Sequence, residues 1–254
     1  MTGNAPANAP APEIARARNV CEHARARFSE LFGDPVPGVR VVLWERGGYR
    51  TSARDGVAIV FWPTGRALAE RVGKGDAARL YIEDHWRNVL PHETAHALLA
   101  ARFFGEARPG GQAEDASANY YGTPFPDWLD EGVAIWAESP ENRRGRAAEF
   151  HQLPARLRDL GSILAMPHPA TNDDAALAMR DGAPVPSNDS VLDFYPQSFA
   201  VLAFVIEMGG PTAVQELARR LFADPSDTEA IAGLPGLPAD VDGVGAAWID
   251  WLER

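Results

Sequence analysis

Cysteine is nearly absent from this chain of 254 residues, which contains only Cys21. A single thiol excludes an intrachain disulfide and a cluster of thiolate metal ligands. Long hydrophobic runs are also missing, since the longest nearly apolar stretch, residues 199–206, is far too short to span a bilayer. We therefore predict that the chain has no membrane span.

Basic residues are in the minority, with 24 Lys and Arg against 35 Asp and Glu, and the net charge is −11. Nucleic acid and anionic membranes would be repelled by this charge, so we expect neither as a partner. The first twelve residues are mostly Ala, Pro and Asn and lack the apolar core of a signal peptide. We expect residues 1–13 to form a flexible tail and the protein to be cytoplasmic, with export as the alternative if a signal peptide has been removed.

What the sequence does contain is the pentapeptide His92-Glu93-Thr94-Ala95-His96. Residues four apart on a helix lie one above the other on the same face, so His92 and His96 can bind one metal ion together. Glu93 follows about 100° further round the helix, where it can approach a metal-bound water without binding the metal. The motif predicts the metal site of a zinc hydrolase.

A second helix is predicted to begin at Asp127, which serves as its N-cap, and to run to about residue 138. It contains Trp128-Leu129-Asp130-Glu131-Gly132. HExxH followed by W-L-x-E-G resembles the gluzincin metallopeptidases, which include the aminopeptidase N-like enzymes and the smaller peptidase MA-like proteins. The resemblance implies that Glu131 is the third zinc ligand and that Glu138, seven residues later, lies near a zinc-bound histidine.

Weaker similarities to the peptidase MA-like group continue downstream, so that the resemblance covers roughly residues 78–254. Residues 158–169 and 246–252 look like segments of that group, and residues 195–199 look like its Y-x-Q-S motif. By this resemblance Tyr195 is a candidate donor to the oxyanion of the transition state. The alternative is that Tyr195 is a packing residue with a hydrogen-bonded hydroxyl.

The implied ligand set indicates both the cofactor and the chemistry. Two imidazoles and one carboxylate suit Zn²⁺ and leave a fourth position for water, so we expect one zinc ion per chain. Glu93 would then be the general base of a zinc-dependent peptide-bond hydrolase whose substrate is a peptide or protein. The alternative is a non-catalytic binding or regulatory module that keeps a protease-like fold and zinc for stability. Glu93 argues against that alternative, because a structural zinc site needs no base. The oligomeric state is not indicated.

The substrate is suggested by a motif that the chain lacks. Aminopeptidase N-like enzymes carry a G-x-M-E-N strand before HExxH, and its Glu holds the free amine of the substrate. This sequence has no such motif, which favours an endopeptidase over an exopeptidase. A strand at residues 78–83 could instead pair with an extended peptide.

The hydrophobic pattern predicts an α+β, zincin-like fold in a single domain at residues 14–254. Residues 14–85 would form the strand-bearing part and residues 86–254 a mainly helical part, with the zinc site in the cleft between them. In the first part we expect helices at 14–32 and 66–72 and strands at 38–45, 57–62 and 78–83. A helix that runs into the HExxH motif is the alternative at 78–83. The expected helices of the second part are 84 or 91–104, 127–138, 153–166, 193–208, 212–223 and 243–253, with long loops at 106–125 and 167–190.

Overall fold

The structure is a computed structural model that describes residues 11–45, 49–73, 75–104, 125–165 and 189–254. It divides into two compact units. Unit 1 comprises Met1–Pro124 and Trp136–Pro140, and unit 2 comprises Phe125–Ile135 and Glu141–Arg254. The α+β class that the sequence predicts is confirmed, since a small sheet is accompanied by mainly helical structure. The zincin-like form, the single domain and the cleft between its parts stay predictions.

Unit 1 contains a three-stranded sheet in the order β1-β3-β2. β1 (Gly38–Trp44) runs parallel to β3 (Val57–Pro63), whereas β2 (Arg50–Arg54) runs antiparallel to β3. Asp55 and Gly56 connect β2 to β3 with φ angles of 53° and 70°. Two successive positive φ angles belong to the tight turns whose twist matches that of a hairpin. Side chains alternate across a strand, so Ala58, Val60 and Trp62 lie on the same face of β3. This face is fully buried.

The helices α1 (Ala11–Phe32) and α4 (Leu90–Phe104) of unit 1 pack against this sheet. α1 contacts β1, and α4, the helix that carries HExxH, contacts all three strands as well as α1. α1 begins three residues before its predicted start, and residues 1–10 of the predicted tail lie outside the described residues. Its buried residues recur at helical spacing, as expected of a helix with one apolar face, and they are Ala17, Cys21, Ala24, Phe28, Leu31 and Phe32.

The strand predicted at residues 78–83 is wrong, because these residues belong to α3 (Asp76–Asp84). Leu80 and Tyr81, which suggested a strand, are 65% and 37% exposed, and Ala78 is the buried residue of this helix. A π-helical turn, His85–Val89, continues α3 into α4. The open alternative of a helix running into the motif is therefore the correct one, and the third strand of the sheet is β2. The short helix predicted at 66–72 is confirmed as α2 (Gly65–Val72).

Helices account for the regular structure of unit 2 within the described residues. The prediction of one helix at 153–166 is wrong, because Asp159 has an extended backbone and caps a new helix through its side chain, which accepts from the Ser162 N–H. The helix over residues 140–152 was not predicted. The elements are α5 (Asp127–Ala137, whose last two residues belong to unit 1), α6 (Pro140–Gln152), a 3₁₀ turn (Ala155–Arg158), α7 (Leu160–Leu164), α8 (Asp189–Ala223) and α9 (Val241–Leu252).

α8 is interrupted at Gly210, which has a φ of 68° and is followed by Pro211. This break confirms the two helices predicted on either side of it. By length and composition alone, the stretch Asp193–Ala223 could cross a membrane, but 56% of its most apolar window is buried inside the structure. Core helices pass the same test, so the absence of a membrane span stays a prediction.

Candidate metal centre

His92 and His96 lie one turn apart on α4, as the HExxH spacing predicts. Their ring centroids are 4.7 Å apart, and 3.1 Å separates their Nε2 atoms. Two nitrogen ligands that each lie about 2.0–2.1 Å from a tetrahedral zinc ion are separated by about 3.3–3.4 Å. The two imidazoles are therefore close to the spacing at which both can bind one ion.

Glu131, on α5, supplies the third group. His92, His96 and Glu131 each offer a ligand atom, and these atoms all lie within 4.8 Å of one another. Glu131 is only 6% exposed, so its carboxylate is largely withdrawn from water. Two imidazoles and one carboxylate are a donor set that suits zinc and leaves a position for water. These three residues could therefore hold a metal ion.

Gly132, which follows Glu131, allows α5 to lie very close to α8. A Cβ built at Gly132 would be 2.8 Å from the Ser198 carbonyl oxygen and 3.2 Å from the Leu202 Cβ. Both neighbours are fully buried within α8, so neither can easily withdraw. The E-G pair thus combines a candidate metal ligand with the one residue type that permits this helix contact. The E-G pair is visible as a motif in the sequence, but the need for its glycine is evident only from this helix contact.

Glu138 lies just beyond the end of α5 and contacts one of the two histidines. The Nδ1 of His92 is 2.8 Å from Oε1 of Glu138, and the two side chains are 13% and 5% exposed. When Nδ1–H donates to the carboxylate, Nε2 carries the lone pair that a metal requires. The position is the one that the resemblance implies, while the effect of Glu138 on metal binding stays a prediction.

Glu93 is a buried carboxylate on α4, with 5% of its surface exposed. The next residue, Thr94, contacts α1, because its hydroxyl donates to the Leu90 carbonyl within α4 over 2.7 Å and lies 3.4 Å from the Cys21 thiol. Burial raises the pKa of Cys21 to about 11, so the thiol is protonated at neutral pH. The only sign in the sequence of this contact between Cys21 and Thr94 is the place of Cys21 on the apolar face of α1.

Tyr195 lies near the start of α8 and is half-buried. The guanidinium carbon of Arg146 is 5.4 Å from its ring centroid, and the ring of Phe194 is 6.0 Å away. These contacts describe how the ring packs and do not connect its hydroxyl with His92, His96 or Glu131. The role of Tyr195 at the oxyanion therefore stays a prediction. The predicted loops at 106–125 and 167–190 lie almost entirely outside the described residues.

Comparison with known proteins finds no match for this chain among protein-family models, curated proteins or solved structures. The gluzincin resemblance accordingly rests on the motifs quoted for it. The capacity for a metal rests on the geometry of His92, His96 and Glu131.

Proposed function

We propose that this protein is a zinc-dependent peptide-bond hydrolase of the gluzincin type that cleaves within peptide chains. The observation that carries the proposal is the convergence of His92, His96 and Glu131 within 4.8 Å, with Glu93 on the same helix as the two histidines. Structural zinc sites are closed by four protein ligands, whereas catalytic sites use three and keep one position open. The group found among the described residues has three members.

The roles of the residues follow from their chemistry. A bound zinc ion would lower the pKa of water to about 7 and polarise the substrate carbonyl. Glu93 would accept the proton of the attacking water and return it to the leaving amine nitrogen as the C–N bond breaks. Glu138 would hold His92 in the tautomer that presents Nε2. Tyr195 is the proposed donor to the oxyanion.

The position of β2 supports an extended peptide as the substrate. β2 is an edge strand of the sheet and packs against α4, the helix that carries the histidines. The sequence suggested residues 78–83 as the strand that pairs with a peptide, but these residues form a helix, so β2 is the strand proposed for this role. An edge strand can bind the main chain of an extended peptide by forming a further ladder. Recognition through the main chain does not require a free terminus, so it suits an endopeptidase.

The substitution Glu93→Gln tests the proposal, because it removes the base and preserves the size of the side chain and all three ligands. We expect the wild type to bind one zinc per chain and to cleave a library of internally quenched peptides at interior bonds. Glu93→Gln should keep the zinc and lose about 10²–10⁴-fold in kcat/KM, the usual contribution of a general base. Elemental analysis and mass spectrometry of the products measure the two outcomes.

His96→Ala serves as the control, since it should lose both zinc and activity. Wild-type protein that cannot acquire zinc would contradict the metal assignment. Zinc-loaded wild type that cleaves no member of a diverse library would instead favour the non-catalytic module.

A further inference from the structure

A groove in unit 2 lies along one face of α9. It has a volume of about 750 Å³, which is within the range of about 300–1,000 Å³ typical of ligand sites. The 3₁₀ turn, α7 and residues 228–231 form its other walls. The face that α9 presents to it is apolar, and consists of Val241, Val244, Trp248, Ile249 and Leu252.

The floor of the groove is a buried tryptophan, and its edge is exposed. Trp248 is 2% exposed, its Nε1–H donates to the Arg158 carbonyl over 2.7 Å, and its ring packs edge-on against Phe204 at 5.3 Å. In contrast, Val241 and Ile249 on the same face are 42% and 58% exposed. Large apolar side chains that border a concave apolar surface mark a binding surface more often than isolated exposed ones do. The groove is thus preformed to receive apolar side chains.

The charges around the groove indicate which apolar ligand it would receive. The groove is lined by three exposed acidic residues and one basic residue. The acidic residues are Asp159, Glu229 and Glu253, and the basic residue is Arg158. Asp159 is fixed in place, because its carboxylate accepts from both the N–H and the hydroxyl of Ser162. An apolar floor with a mainly acidic rim is complementary to a ligand that has an apolar face and positive charges.

We propose that this groove binds a cationic amphipathic peptide segment, whose apolar side chains enter over Trp248 and whose Lys or Arg residues face the rim carboxylates. This is the helix-in-groove mode of recognition. Charge argues against two other occupants. The first is the segment 166–188 of this chain, which is acidic because it contains three Asp and one Arg. The second is another copy of the chain, whose net charge of −11 would be repelled by the acidic rim. The proposal is independent of the proposed peptidase function.

Fluorescence anisotropy with a defined probe tests the proposal. The probe is a labelled 18-residue peptide of Leu and Lys with Leu at helical spacing, and the matched probe carries Glu in place of Lys. The protein is the full chain with Glu93→Gln, so that the probe is not cleaved. We expect micromolar binding of the Lys peptide that weakens as salt is added, and no binding of the Glu peptide.

Gly245→Leu fills the groove from α9, because a Cβ at Gly245 meets no atom within 4 Å. It should reduce the affinity by about tenfold or more, which corresponds to about 1.4 kcal/mol. Gly145→Leu is the matched control, because Gly145 is also a helical glycine with no atom within 4 Å of a built Cβ. It should leave binding unchanged, and thermal melts of both variants verify folding.

A charge variant gives a second and independent readout. Glu229→Gln with Glu253→Gln should weaken binding and flatten its salt dependence, whereas Glu141→Gln with Glu149→Gln on α6 changes the net charge equally and should have little effect. Binding of the Glu peptide as tightly as the Lys peptide would overturn the proposal, as would Lys-peptide binding that Gly245→Leu leaves intact. A wild-type dimer that Gly245→Leu dissociates in sedimentation equilibrium would assign the groove to a second copy instead.

Discussion

The contact between His92 and Glu138 is expected to favour one imidazole nitrogen of His92 for metal binding. The carboxylate lies 2.8 Å from Nδ1, and when Nδ1–H donates to it, Nε2 keeps the lone pair that a metal needs. Because Glu138 is buried and only 13% of the His92 side chain is exposed, the pair is little screened by water. Glu138, seven positions beyond Glu131, thus contacts another member of the candidate metal group.

We predict that Glu138→Gln weakens zinc binding about 10–100-fold while the protein stays folded, since losing the partner of a ligand histidine has effects of this size. Competition with a chromogenic chelator measures the affinity. Glu149→Gln, on the exposed side of α6, is the control and should bind zinc like the wild type. Equal zinc affinities for wild type and Glu138→Gln would show that Glu138 does not support His92.

Cys21 is expected to make the stability of the folded protein depend on pH in the alkaline range. Burial raises the pKa of its thiol from 9.0 to about 11 in the folded protein. A group whose pKa is raised on folding contributes stability that is complete below the unfolded pKa and is lost as the pH rises through the folded pKa. The loss is therefore expected between about pH 9 and pH 11, because the unfolded chain ionises first.

We predict that the free energy of unfolding falls more steeply between pH 9 and pH 11 in the wild type than in Cys21→Ala. The difference between the two slopes isolates the thiol from Lys74 and the five Tyr residues, which titrate in the same range. Urea unfolding at fixed pH values provides the measurement. Parallel curves for the two proteins would mean that Cys21 ionises alike in the folded and unfolded states.

At the scale of the elements, α5 and α8 meet at a contact that excludes a side chain. The Cβ position of Gly132 lies 2.8 Å from the Ser198 carbonyl, closer than side-chain carbons approach backbone oxygens. Ser198 is 66 residues away in the sequence, so no local pattern predicts this contact. Because of this separation, the E-G pair is recognisable as a motif, but the reason why it contains glycine is visible only in the structure.

We predict that Gly132→Ala lowers the free energy of unfolding by about 1–3 kcal/mol, because the overpacked helices must separate. Gly145→Ala on α6 is the matched control. A Cβ there is in open space, so this substitution should stabilise the protein by about 0.5–1 kcal/mol through helix propensity alone. Urea unfolding compares the two, and a stabilising Gly132→Ala would show that α5 and α8 are not in close contact.

Elements with a periodic apolar pattern could be predicted from the sequence, and those without one could not. α1, β1, β3 and the two halves of α8 have such patterns and were predicted. β2 was missed because Arg50-Thr51-Ser52-Ala53-Arg54 has no apolar alternation, as befits an edge strand. The sequence of α3 suggests a strand because Leu80, Tyr81 and Ile82 form an apolar run. A run this short does not distinguish the period of a helix from that of a strand.

At the scale of the whole molecule, the sequence predicts those parts of the candidate metal site whose residues are close together in the chain. His92, Glu93 and His96 share one helix, and their relation follows from helix geometry. Glu131 was reached only through the resemblance to gluzincins, because its approach to the histidines depends on tertiary structure. The contact between Cys21 and Thr94 and the groove along α9 depend on tertiary structure too, and no motif signals them.

A bound metal ion is expected to affect the stability of the whole chain. Glu93, Glu131 and Glu138 are each at most 6% exposed, so the metal-free protein buries three carboxylates with little compensation by water. A cation that binds the folded state stabilises it, by about 4 kcal/mol when its concentration is a thousand times the Kd. In a chain of this size that corresponds to a rise in Tm of roughly 10 °C.

Treatment with dipicolinate should therefore lower the Tm by roughly this amount, and zinc should restore it. Calcium should not restore it, because Ca²⁺ prefers six to eight oxygen ligands and this site offers two nitrogens. Glu131→Gln should reduce the zinc-dependent shift, whereas Glu149→Gln should keep it. Differential scanning calorimetry provides the measurement. A Tm that is the same with chelator and with zinc would contradict metal binding, and restoration by calcium as well as by zinc would show that the two imidazoles do not select the ion.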